Sequence, residues 1–169
     1  MPSTYTLISS NVLTSSAASV TFSAIPSTYT DLVLRMSVRG NAGAYSSGYT
    51  LGFNGGAGGA SWTYRRLYGY DSTAGSDTGY GSIPYFITGT ATTANTFSNE
   101  EIYIPSYLSS TNKPFSGSHT AENNATTNWS ISTTANLWSN TTAISSLSVV
   151  SSGNFVSGSS FYLYGISKS

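Results

Sequence analysis

Apolar and polar residues alternate along much of this chain with a period of two, most clearly from Thr30 to Gly40. Leu32, Leu34, Met36 and Val38 fall on one side of that repeat, and Val33, Arg35, Ser37 and Arg39 on the other. This is the pattern of a half-buried β-strand, because successive side chains in a strand point to opposite faces. The run predicts the central strand of a sheet, with its four alternate apolar residues turned to the core.

The same period recurs before and after it. Residues 1–16 hold a short β-prone run, Thr4 to Ile8, expected to be an edge strand or an arm reaching to a neighbour. Val20 and Phe22 share a face before Ile25-Pro26 breaks the pattern, since proline cannot donate to a ladder. Tyr49 to Phe53 resumes the alternation. Further strands are predicted at 82–87, where Pro84 implies an edge or a strand start, and at 100–107. Others are expected at 128–132 and 143–150, where Ile144 is out of phase with Leu147 and Val149 and implies a bulge or a later start. A turn is expected at Ser151 to Asn154, and Ser160 to Ile166 forms a last strand with Phe161 and Leu163 on one face, beside an early strand. Nowhere does a helical period emerge.

Some eight to ten short strands punctuated by Gly, Pro and Ser predict an all-β sandwich or barrel. The long connections after Phe53, Gly69 and Ile87 favour a jelly-roll β-sandwich in which residues 1–169 form a single domain. A chain of 169 residues can bury roughly 70% of the surface it exposes when unfolded.

Several stretches invite chemistry, and their context answers most of them. The glycine-rich run Asn54 to Gly59 lacks the Gly-Lys-Ser/Thr and helix of a phosphate loop, so a hairpin loop is expected. Asp71 to Gly79 carries two carboxylates without the spacing of a calcium loop and is expected to be a solvated loop. Glu100 and Glu101 are neighbours on a strand, point to opposite sides and are expected to solubilise the surface. His119 is the single histidine; Glu122 lies three residues on, which in a strand or loop does not bring the two together. With no cysteine there is neither a disulfide nor a thiolate site, and one histidine does not make a zinc site. No Ser/His/Asp spacing stands out among so many serines, so no catalytic, cofactor or metal residue is assigned and the chain is expected not to be an enzyme.

Charge narrows the partners. Only 7% of residues are charged, six basic against six acidic, which excludes a nucleic-acid footprint, while Ser, Thr, Asn and Gly supply the polarity. Weak self-repulsion favours association. No signal peptide and no apolar stretch of membrane-spanning length is present in the sequence, so synthesis in the cytoplasm without a membrane partner is expected. Trp62, Tyr64, Arg66 and Tyr68 share one strand face and are the candidate partner or sugar interface, since aromatic side chains suit both sugar rings and protein interfaces.

Ser19 to Pro26 with Tyr29 to Leu34, Tyr64 to Gly69, Ile102 to Pro105 and the ending Phe161 to Ile166 together give the chain a resemblance. It resembles small jelly-roll virion proteins of tailed bacteriophages, particularly of aquatic and cyanobacterial hosts, which serve as capsid decoration (cement) proteins or as tail-fibre modules. The resemblance spans nearly the whole chain and rests on strand and turn sequences. It implies a homotrimer bound to the major capsid protein on the outer surface of the head. The alternative it implies is a tail module that recognises host surface glycan.

Overall fold

The computed structural model describes residues 4–43, 47–81, 85–125, 127 and 129–167. Among these there are thirteen strands and no helix. In chain order they are β1 (Tyr5–Val12), β2 (Ala17–Phe22), β3 (Asp31–Val38), β4 (Ser47–Phe53), β5 (Gly56–Ala57), β6 (Trp62–Tyr70) and β7 (Thr73–Tyr80). They continue with β8 (Tyr85–Ile87), β9 (Ser98–Ile104), β10 (Lys113–Ala121), β11 (Ser130–Trp138), β12 (Leu147–Phe155) and β13 (Ser160–Ile166).

The strands form two antiparallel sheets. One has eight strands in the order β1-β13-β3-β9-β10-β11-β6-β7; the other has five, β2-β12-β4-β5 with β8 paired to β4. β3 lies inside the larger sheet between β13 and β9, and Leu32, Leu34, Met36 and Val38 are all buried, as the alternation predicts. Val33, on the opposite face, is buried as well, because Tyr164 and Tyr103 stand beside it on the flanking strands. β13 pairs with both β3 and β1, which brings the last strand beside the first.

The core lies between the sheets. Phe53 of β4 packs against Trp62, Phe115 and Trp138 of the larger sheet at centroid distances of 4.9, 5.5 and 5.3 Å, and Phe155 meets Phe161 at 5.0 Å. Such tilted and edge-on ring contacts add to the stabilisation that area burial supplies. Ile144 is buried ahead of β12, which starts at Leu147, as its phase implied.

Two expectations are corrected. Residues 73–80 are not a loop: they form β7, joined to β6 by a tight turn in which Asp71 has φ 46°. Loop-like composition gives way here to a cross-strand fit described below. Ser151 to Asn154 is not a turn either; β12 runs on to Phe155, with a register shift against β2 between Val150 and Phe155. The strand expected at 82–87 survives as β8, while Ser82, Ile83 and Pro84 lie outside the described residues.

Candidate functional site

Alternation along β6 carries Trp62, Tyr64, Arg66 and Tyr68 on one face, the inner face of the larger sheet. Their environments differ along that face. Trp62 is a core residue, only 2% exposed, because it stands over Phe53 of the smaller sheet. Tyr64, Tyr68 and Tyr70 are half-buried. With eight strands facing five, this end of the inner face is only partly covered.

Opposite Tyr64, Arg66 and Tyr68, strand β7 presents Gly79, Asp77 and Gly75. The arginine Nε and Nη2 donate to Asp77 Oδ1 and Oδ2 at 3.0 and 2.5 Å, a bidentate pair that only the planar guanidinium fork can make. Its charged group also lies over the rings of Tyr68 and Phe86, 4.5 and 5.3 Å from their centroids. The two tyrosines lie across β7 where the glycines leave room. A Cβ at Gly75 would stand 2.7 Å from the Tyr68 hydroxyl, and one at Gly79 would stand 2.8 Å from the Tyr64 ring. The glycines of the supposed loop are thus the floor beneath two aromatic side chains.

A row of residues runs across the same face. Phe161, Met36, Glu100, His119, Ser132, Tyr68 and Gly75 stand opposite one another on successive strands, so the face turns from apolar to polar as it leaves the core. Glu100 is buried and not a solubilising surface residue; Glu101 alone is exposed. Glu100 Oε1 lies 2.6 Å from His119 Nδ1, and Oε2 accepts a hydrogen bond from Tyr49 at 3.2 Å. Burial pushes the Glu100 carboxyl above its ordinary range, opposed by the nearby His119 and by hydrogen bonds from His119, Tyr49 and Ser98. Glu122 takes no part and accepts from the Asn124 amide instead.

The other imidazole nitrogen, Nε2, is 2.7 Å from the hydroxyl of Ser130. Ser130, His119 and Glu100 therefore follow the order of nucleophile, base and orienting carboxylate. Acyl transfer also needs free donors converging beside the serine to hold the developing oxyanion. Here Ser130 is paired with Ala121 on one side and Tyr70 on the other, and the Trp129 amide donates to Asp71. The backbone at this serine is thus part of the sheet, with a neighbouring strand on each side.

Over this serine lies a cavity of about 330 Å³, walled by Tyr68, Tyr70 and Phe86 and floored by His119, Ser130 and Ser132, with Arg66 at its side. Among the described residues no cluster of His, Asp and Glu could hold a metal ion. Of the four residues singled out on β6, the structure brings Arg66 and Tyr68 to this cavity, places Tyr64 further along β7 and removes Trp62 to the core. The partnership of Glu100 with His119 escaped sequence reasoning, although a signal was present. Glu100 alternates with Ile102 and Ile104, and His119 with Phe115 and Ala121, so both sit on core-facing registers.

No family model and no curated protein matches this chain.

Proposed function

We propose that the chain is a structural protein of a tailed-phage virion, a decoration protein that binds the head shell as a homotrimer and stabilises it. The resemblance of its strand and turn sequences supplies the virion setting. A jelly-roll connectivity belongs to the same proposal and is supported by the pairing of early with late strands, β1 with β13 and β2 with β12.

One observation carries the associative role: several of the chain's few charged groups are buried or paired within the molecule. Arg66 is tied to Asp77 and His119 faces Glu100. Arg39 and Lys113 are buried among neutral oxygens, the lysine Nζ donating to the carbonyls of Ser109 and Thr111 at 2.6 Å each. On the surface Arg35 is paired with Glu101 at 2.8 Å. Arg65 and Glu122 are exposed as well, and beside them the surface carries large apolar side chains. Leu67 and Ile131, 62% and 54% exposed, stand diagonally on the outer face of β6 and β11. Leu7 and Val12 are exposed on β1, which is one free edge of the larger sheet and has no charged residue, and Tyr80 is exposed on β7, the other edge. Such surfaces bind by burying apolar area, worth on the order of 25 cal/mol per Å² and little affected by salt.

The test is to wash intact particles at about 1 M salt, where the screening length falls to about 3 Å. The protein is expected to stay on the head, in many copies by quantitative mass spectrometry. Near-complete release, or a few copies confined to the tail, would overturn the reading.

A further inference from the structure

We propose that Ser130, His119 and Glu100 form a hydrolytic site for a small carboxylic ester, with the serine as nucleophile, the histidine as general base and the cavity beside them receiving the acyl group. This activity goes beyond the virion role and does not depend on it.

The geometry carries the proposal. Ser130 Oγ lies 2.7 Å from His119 Nε2 and His119 Nδ1 lies 2.6 Å from Glu100 Oε1, so nucleophile, base and carboxylate stand within hydrogen-bond reach in the order that serine activation needs. Burial is graded in the same sense. Glu100 and His119 are 4% and 1% exposed, whereas Ser130 is half-buried and lines the cavity, so the hydroxyl at the open end is the one a substrate can reach. No sequence spacing announces the three, because they come from β9, β10 and β11 and meet through the register of those strands.

The carboxyl sets the direction of the protons. An ionised Glu100 only accepts, so Nδ1 carries the proton and the Nε2 of a neutral ring is left to accept from Ser130. A protonated Glu100 donates to Nδ1 instead, Nε2–H then donates to Ser130, and the serine has no base. Burial raises this carboxyl, so the active arrangement is gained as pH rises. The other titratable or charged groups bordering the pair are Tyr49 on β4, Tyr68, Tyr70 and Arg66 on β6, and Asp77 on β7, which holds the arginine.

The reaction balances with water as its one co-reactant. Ser130 Oγ bonds to the ester carbonyl carbon while its proton passes to Nε2; the carbon–oxygen bond to the alcohol then breaks, and that oxygen takes the proton from Nε2. Water attacks the acyl-serine and gives a proton to Nε2, and Ser130 Oγ leaves with that proton as the carboxylic acid is released. With the Ser130 backbone in the sheet and the Trp129 amide on Asp71, the oxyanion falls to a side chain, that of Ser132, which lies two residues along the same face, opposite His119 and in the cavity wall. The cavity, about 330 Å³ against the ~300–1,000 Å³ typical of small-ligand sites, takes a short apolar acyl group between Tyr68, Tyr70 and Phe86.

The experiment uses the purified full chain at about pH 8, where an ordinary imidazole is neutral. Hydrolysis of nitrophenyl acetate and nitrophenyl butyrate is followed, and in parallel a fluorophosphonate, which phosphonylates activated serines, is added and the modified peptide located by mass spectrometry. The label is expected on Ser130, and Ser130→Ala is expected to lose both label and turnover. His119→Gln should lower kcat/KM by about 10²–10⁴-fold, the contribution of a positioned base, and Ser132→Ala by about 10²-fold, that of one oxyanion donor. For Glu100, a positioning residue, the readout is the pH profile: Glu100→Gln should lose the parent's rise in activity with pH. The proposal fails if the parent is labelled nowhere or only at other serines, if it hydrolyses neither ester faster than buffer does, or if Ser130→Ala keeps the parent's rate; equal pH profiles for parent and Glu100→Gln would remove Glu100 from the site. Labelling is read on the parent, so the test stands even where a variant does not fold, and no result here alters retention of the protein on salt-washed particles.

Discussion

Glu100 and His119 face each other across β9 and β10 with Oε1 and Nδ1 2.6 Å apart, both closed to solvent. The groups around the carboxyl are His119 on β10, Tyr49 on β4 and Ser98 on its own strand. Burial outweighs them and raises the carboxyl above its ordinary value of 4.5. The folded protein therefore holds this proton over a pH range in which the unfolded chain has lost it. The stabilisation is full below pH 4.5 and drains away as pH rises through the raised folded value. Glu100→Gln removes this dependence. Urea unfolding of both proteins at a series of pH values above 4.5 should show the parent losing stability relative to the variant, by at most about 1.4 kcal/mol per pH unit for one proton. Parallel curves would show that Glu100 is ionised throughout.

How far this arrangement could be foreseen depended on which cue each element carried. Strands such as β3 and β13 bury one clean face, and alternation alone assigns Leu34 and Leu163 to the core. β7 carries no such cue, because Thr-Ala-Gly-Ser-Asp-Thr-Gly-Tyr has a turn-like composition. The fit that holds it lies in the partner strand: Tyr68 and Tyr64 lie over Gly75 and Gly79, and Arg66 pairs with Asp77. The face of Trp62 was legible, but where the covering sheet ends along that face was not, and that end separates a core tryptophan from half-buried tyrosines. Glu100 was misplaced by assuming that charge lies outside; its register with Ile102 pointed inward.

Gly165 on β13 and Tyr29 provide a test of close packing. A Cβ at Gly165 would run into Cγ, Cδ1 and Cδ2 of the tyrosine ring, the base of the side chain, which cannot swing clear. Tyr29 is packed against the core cluster, so displacing it disturbs contacts on both sides. Gly165→Ala is expected to destabilise the protein by about 1–3 kcal/mol, as overpacking does. Gly43→Ala, where a Cβ meets nothing within 4 Å, should stay within about 0.5 kcal/mol of the parent. Equal denaturation midpoints for the two variants would mean that Tyr29 has another place to go.

Arg39 is a buried cation whose bonds go to the segment between β8 and β9. Its Nη1 donates to Thr92 Oγ1, Thr93 O, Thr96 O and Thr96 Oγ1 at 3.1, 2.9, 2.8 and 3.2 Å, and Nη2 to Thr92 O at 3.2 Å. Burial lowers its pKa, the expected direction for a base removed from water. The backbone of the same residue accepts from the Val156 amide at 2.9 Å, so Arg39 fastens this segment to the connection between β12 and β13. A lysine would keep the charge but replace the fork by a single ammonium, which cannot reproduce the contacts made by two separate nitrogens. Charge-assisted hydrogen bonds contribute about 1.5–3 kcal/mol each, and water replaces part of what is lost at a half-exposed segment. Arg39→Lys should therefore cost about 1–3 kcal/mol in global stability. In hydrogen exchange, the amides of Gly40, whose donor reaches Thr88 O at 2.7 Å, and of Thr92 should open faster, while those of β10 and β11 keep their protection. Uniform acceleration across both sheets, or none at all, would show that the segment is held by its backbone alone.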